Sequence, residues 1–181
     1  MISEVLRQCE MVEMNGGTRL PLTNGGYAIV DDSDFPNLIA KRWYWVRNVD
    51  GSYQVKSYLN RRTPTLLHRF ILQPPSNRVV DHANHNRFDN RRANIRIATL
   101  EQNQQNCRKV SKHGFKGVYK TIAKCGTWGA RIKHNKIDIY LGTFPTVEQA
   151  ARAYDEKAIE LFREFACLNF DRLERGPQEG K

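Results

Sequence analysis

Apolar and polar residues change their spacing three times along the chain. Two pairs of alternating runs come first. Residues 18–22 and 26–30 flank Thr23-Asn24-Gly25, and residues 43–49 and 53–58 flank Asp50-Gly51. Asn-Gly and Asp-Gly supply the positive φ that tight hairpin turns need, so each pair predicts a β-hairpin. Trp43 and Trp45 fall on one strand face, where core packing is the expected role. Residues 31–35 read as a capped helical turn, and residues 3–12 as a short helix. In residues 65–72, Leu66, Leu67, Phe70 and Ile71 recur at helical spacing, and Pro74-Pro75 stops the helix.

The middle of the chain reads as strand 78–80, loop 81–94, strand 95–98 and a helix from Leu100 to about Arg108. Thr99 and Gln102 form its capping box. The polar, basic stretch 108–114 reads as a linker. Beyond it, residues 117–121, 128–133 and 137–141 predict three strands, with a hairpin at His134-Asn135-Lys136 and the sheet ending at Gly142. Trp128, Ala130 and Ile132 point one way from their strand, and Arg131 and Lys133 the other. Thr146 and Gln149 then open a long helix whose stripe is Val147, Ala150, Ala151, Tyr154, Ala158, Leu161 and Phe162. The expected fold class is α+β. The expected division is a segment 1–17, a first domain 18–107, a linker 108–114, a second domain 115–170 and a tail 171–181.

Charge narrows the function. The net charge is +10 over 181 residues. Between Arg61 and Lys133 there are 16 Lys and Arg against 3 Asp and Glu, so the whole basic excess lies in the centre of the chain. An excess this concentrated marks a phosphate-binding surface. The basic residues lie in strand-like and loop-like sequence, which disfavours a membrane-surface helix. No run is long and apolar enough to span a bilayer, and residues 1–17 lack a signal-peptide core. The expected location is the cytoplasm. Cys9, Cys107, Cys125 and Cys167 form no Cys-x-x-Cys pair, so a zinc ribbon is not expected.

The candidate chemistry lies between Val79 and Asn106. Asp81 and His82 follow a hydrophobic strand, and Asn103 falls on the helix after the second strand. A carboxylate and an amide oxygen can face one hard cation, with water and phosphate in the other positions; this suits Mg²⁺, or another divalent cation such as Mn²⁺. His82 can take a proton from a water in line with a phosphodiester. Asn94 suits bracing of the loop through side-chain to backbone bonds. Taken singly, each residue has a blander reading: a structural Asp-His pair, a surface Asn, a solvated Asn/Arg loop. The arginines of this segment are expected on phosphate or solvent.

L-H-R-F-I at 67–71, V-D-H-x-N-x-N-x-x-D-N-R-x-x-N-I-R at 80–96 and the following E-Q-N-Q-Q-N resemble the HNH endonucleases of phages and bacterial mobile elements. The resemblance implies a ββα-metal nuclease reached from the N-terminal hairpins, with Asp81 and Asn103 as metal ligands and His82 as general base. It makes Asn94 the central, loop-bracing Asn and gives His68 a supporting role. Residues 113–170 are similar to the plant ethylene-response-factor (APETALA-type) DNA-binding domain, through F-K-G-V-Y, W-G-A-R-I, Y-L-G-T-F and E-Q-A-A-R-A-Y-D with L-N-F. That likeness implies a three-stranded antiparallel sheet packed on one helix, with Lys116, Tyr119, Thr121, Arg131, Lys133, Asp138 and Tyr140 facing DNA. The combined expectation is a homing-type endonuclease acting on double-stranded DNA, with neither a membrane nor an obligate protein partner. The alternative is a non-catalytic DNA-binding regulator with a relic nuclease unit.

Overall fold

A computed structural model describes residues 17–58, 63–107, 111–122 and 126–170. The chain divides into two compact units, Met1–Asn103 and Gln104–Lys181. The helix expected at 3–12 lies outside the described residues.

Unit 1 begins with an antiparallel hairpin of β1 (Thr18–Pro21) and β2 (Tyr27–Val30). Asn24 in its turn binds the next hairpin at both ends of its amide: Nδ2 donates to the Trp45 carbonyl and Oδ1 accepts from the Trp45 N–H. α1 (Phe35–Ile39) precedes that hairpin, formed by β3 (Tyr44–Arg47) and β4 (Tyr53–Ser57). The Trp43 indole is buried and donates to the Leu38 carbonyl, 2.9 Å away. Residues 65–72 do not form one helix. β5 (Thr65–Leu66) pairs with Lys56 and Ser57 on the edge of β4, and α2 (Leu67–Leu72) starts only after it. The unpaired edge of β4 offers hydrogen bonds that helical spacing does not reveal.

β6 (Val79–His82) and β7 (Ile95–Ala98) pair antiparallel, and α3 (Leu100–Gln105) follows. Asp81 and His82 are therefore strand residues, opposite Arg96 and Ile95, and not part of the loop. The capping box closes reciprocally, with the Thr99 N–H donating to Gln102 Oε1 and the Gln102 N–H to Thr99 Oγ1. Phe88 projects from loop 83–94 into the core beside Leu20, Val30, Trp43 and Leu67. Burying such a side chain stabilises by about 1.5–3 kcal/mol, which anchors the loop to the hairpins.

Unit 2 is a three-stranded antiparallel sheet in the order β10–β9–β8, from β8 (Val118–Lys120), β9 (Trp128–His134) and β10 (Ile137–Phe144). Asn135 and Lys136 both have positive φ, as a two-residue turn of this kind requires. β10 runs past Gly142 because a bulge between Tyr140 and Gly142 lets the strand continue to Phe144. α4 (Val147–Phe162) is capped by Thr146 Oγ1 and buries Ala150, Ala151, Tyr154 and Ala158. Close approach is also built in at Gly117, where a Cβ would lie 2.0 Å from the Tyr154 ring. The buried Asp155 carboxylate accepts from the Asn169 and Phe170 N–H groups, while Asn169 binds the backbone N–H and carbonyl of Lys116. Of the expected linker, residues 108–110 are outside the described residues, and Ser111 to Phe115 form a closed turn.

Candidate functional site

The residues with the expected chemistry gather at the end of β6. Asp81 is buried, and its Oδ2 accepts from Arg96 Nε at 3.0 Å and Nη2 at 2.8 Å across the strand pair. His82 is 1% exposed, with Nε2 3.4 Å from Asn90 Oδ1. His68, in the first turn of α2, meets it edge-on with ring centroids 5.2 Å apart. Burial, then the positive charge of Arg87, pushes the His82 imidazole down to about 4, against a smaller upward pull from the Asn90 contact. Burial, then the neighbouring His82, pushes His68 down to about 3. Both rings are neutral at pH 7 and hold a nitrogen lone pair, the protonation state that a base needs.

Loop 83–94 is held by its own amides. Asn94 Oδ1 accepts from the Asn84 N–H at 3.0 Å, and Asn94 Nδ2 donates to the Asp89 carbonyl at 2.7 Å. Asn84 Nδ2 donates to Asp89 Oδ2, and the Asn84 and Asn86 side chains cap the Asn86 and Phe88 N–H groups. Asp89 and Asn90 are each 1% exposed. The first hairpin straps the loop in place: the Ile29 N–H donates to the Phe88 carbonyl and the Asn90 N–H to the Ile29 carbonyl, both at 2.8 Å. The solvated-loop reading does not hold for this segment.

Three arginines expected on phosphate or solvent are engaged elsewhere. Arg91 forks onto Asp89, with Nε–Oδ1 at 2.8 Å and Nη2–Oδ2 at 2.7 Å. Arg92 forks onto Asp34, and its N–H donates to Asp31. Arg96 is held by Asp81. The aspartates at 31 and 34 carried no signal for this role, since they sit in what reads as a capped turn.

Asn103 lies on α3, half-buried, and its side chain makes no hydrogen bond among the described residues. Among those residues there is no cluster of three or more His, Cys, Asp and Glu that could hold a metal. A site of one carboxylate and one amide is a smaller set. Both are hard oxygen donors, and a Mg²⁺ or Mn²⁺ ion that keeps most of its water accepts such a set. Asp81 and Asn103 carry oxygen donors of the kind such a cation accepts, with Asp81 Oδ2 also held by Arg96.

In unit 2, Tyr119, Arg131, Lys133, Asp138 and Tyr140 lie on the sheet strands, with Tyr140 opposite Arg131 and Asp138 opposite Lys133. Tyr119 lies across Gly129, where a Cβ would come within 2.4 Å of its ring, and Arg131 sits over that ring at 5.5 Å. The Tyr140 hydroxyl shares a hydrogen bond with Thr143, a partner the sequence did not suggest. Thr121 spends its hydroxyl on Thr127. Lys116 departs most from expectation. Its Nζ donates to the Gln105 and Cys107 carbonyls at 2.6 and 2.9 Å, and it is largely desolvated, which lowers its pKa. Those carbonyls take two of the three ammonium donors.

No helix among the described residues is long and apolar enough to cross a membrane. No family model matches the chain. The chain is 34% identical over 158 residues, 84% of its length and 79% of the relative's, to an uncharacterized HNH endonuclease of Acanthamoeba polyphaga mimivirus. Shorter matches reach plant proteins. Dehydration-responsive element-binding protein 1G of Oryza sativa is 47% identical over 65 residues, 34% of this chain and 28% of that protein. Ethylene-responsive transcription factor ERF069 of Arabidopsis thaliana is 35% identical over 99 residues, 52% of this chain and 60% of that protein. With 84% of the chain and 79% of an HNH endonuclease relative matched, the chain belongs to the HNH endonuclease family, and it carries in addition a segment similar to plant APETALA-type DNA-binding proteins.

Proposed function

We propose that the protein is a metal-dependent DNA endonuclease of homing or mobile-element type, hydrolysing phosphodiester bonds in duplex DNA in the cytoplasm of its host cell. The observation that carries this reading is the β6–β7–α3 order, read as a ββα-metal unit, with Asp81-His82 ending one strand and Asn103 on the helix. His82 takes the proton of the attacking water; its burial keeps the ring neutral and ready to accept. His68 packs against the ring and restricts its tilt. Asn94 fixes the loop that shapes the site. When bound to Asp81 and Asn103, a divalent cation such as Mg²⁺ supplies charge neutralisation at the phosphate and the leaving 3′ oxygen.

Residues 115–170 act as the DNA-binding domain, joined through 108–114. Their outer sheet face, with Tyr119, Arg131, Lys133 and Tyr140, enters the major groove, which admits strands. Thr121 contributes at the edge of that face. A tethered reader supplies affinity and register, so the cutting unit can stay small. The relatives whose names record DNA-element binding support this division of labour.

Incubation with plasmid DNA in Mg²⁺ and in EDTA tests the reading. We expect metal-dependent scission that His82→Ala lowers by at least about 10²–10⁴-fold while DNA binding persists. Cutting that survives in EDTA, or that His82→Ala leaves intact, refutes it.

A further inference from the structure

Four arginines lie between Ala83 and Ala98, and three of them are committed to aspartates: Arg91 to Asp89, Arg92 to Asp34 and Arg96 to Asp81. Arg87 is different. Its guanidinium makes no hydrogen bond or ion pair among the described residues, yet its side chain is only half exposed. Its backbone is well fixed. The Arg87 carbonyl accepts from Asn90 Nδ2 at 3.2 Å, and the Oδ1 of the same amide lies 3.4 Å from His82 Nε2. The next residue, Phe88, is locked in the core at 0% exposure. One asparagine side chain thus ties the Arg87 backbone to the His82 ring.

We propose that Arg87 is a phosphate-binding residue of this site, its guanidinium donating to a DNA phosphate at the His68–His82 pair. Naming the anion as DNA phosphate rests on the nuclease reading above. The Asn90 amide links the Arg87 backbone to the His82 ring, and that ring packs against His68. Asp50, an exposed carboxylate, is bonded to the Ser52 hydroxyl and N–H and not to Arg87. A partly buried guanidinium with no carboxylate bonded to it among the described residues is a cost that an incoming anion offsets. The planar fork of arginine matches two phosphate oxygens, and an ammonium does not reproduce that geometry.

The test uses full-length protein and plasmid DNA. Single-turnover cleavage in Mg²⁺ by R87A is expected to fall about 10²–10³-fold, with DNA affinity changed less than about tenfold. R87K should recover only a small part of the rate. Added methylguanidinium should restore activity to R87A and not to H82A, a response that a merely structural residue does not give. In binding titrations without divalent metal, the slope of log affinity against log salt should drop by about one for R87A. If circular dichroism shows R87A unfolded, R87Q takes its place. Cleavage within about threefold of wild type together with an unchanged salt slope overturns the proposal. If wild-type protein cuts no DNA in any divalent metal, the nuclease reading fails on its own. The salt slope then decides Arg87 alone: a drop of about one upholds the phosphate contact, and no drop removes it.

Discussion

Unit 1 buries His68, Asp81, His82, Asp89, Asn90 and Asn94, whereas the helix of unit 2 meets its sheet through Ala150, Ala151 and Ala158. Among the described residues of unit 2, Asp155 and Asn106 are the only buried polar ones. Buried polar groups cost desolvation and return it only when every member of the network is bonded. Unit 1 accepts that cost and gains fixed positions for the side chains near β6. Unit 2 keeps its polar residues outward, on a sheet face whose geometry is set by a plain apolar core. Tight placement therefore lies inside one unit and on the surface of the other.

The sharpest way to break this contrast is at Asp89. Asp89→Ala leaves Arg91 without its carboxylate and removes the acceptor of Asn84. Losing one partner of a buried pair costs about 3–5 kcal/mol. Urea titration should show the unit 1 transition moving by that amount with the unit 2 transition in place. Equal shifts in both would mean that the units do not store their stability separately.

A smaller effect comes from acid. Folding depresses the pKa of His68 to about 3 and that of His82 to about 4, so the folded state resists protonation that the unfolded chain accepts. Their stabilising share is complete above the ordinary imidazole value near 6.5 and is lost as pH falls from there towards 4 and 3. The pair should cost unit 1 about 2 kcal/mol between pH 6.5 and 5.5. Melting curves across that window, compared with His68→Gln, check the sign; a unit 1 that gains stability on acidification contradicts the burial of both rings.

How much of this was legible in the sequence follows from distance along the chain. The two hairpins, the Thr99–Gln102 box and the Thr146 cap came through because their signals span two to four residues. Asp81, His82 and Asn94 stood out as a local series. Arg92 with Asp34, and the hydrogen bonds of Ile29 to the loop, did not, because partners some 60 residues apart leave no periodic trace. β5 was hidden because its strand character comes from the edge of β4 and not from its own residue spacing. Lys116 is a different case. The likeness to plant domains put it on DNA, but the carbonyls at the end of α3 take its ammonium.

The smallest expected effect sharpens the surface half of the contrast. Arg131→Ala and Lys133→Ala should each weaken duplex binding by about tenfold with circular dichroism unchanged, because both side chains lie on the exposed face of β9. Unfolding instead of weaker binding would show the faces of that sheet to be reversed.

The strap from Ile29 to Phe88 and Asn90 limits how the motif can travel. Its two backbone hydrogen bonds, with the Phe88 ring set among the first hairpins, make a strand from early in the chain part of the mould for residues 83–94. Grafting residues 79–106 into a foreign scaffold would carry Asp81, His82 and Asn94 but leave behind the strand that holds their loop in place. Exchange between relatives is expected to preserve the chain from β1 to α3 as one inheritable block, with the sheet-and-helix unit as the part that can be swapped for another.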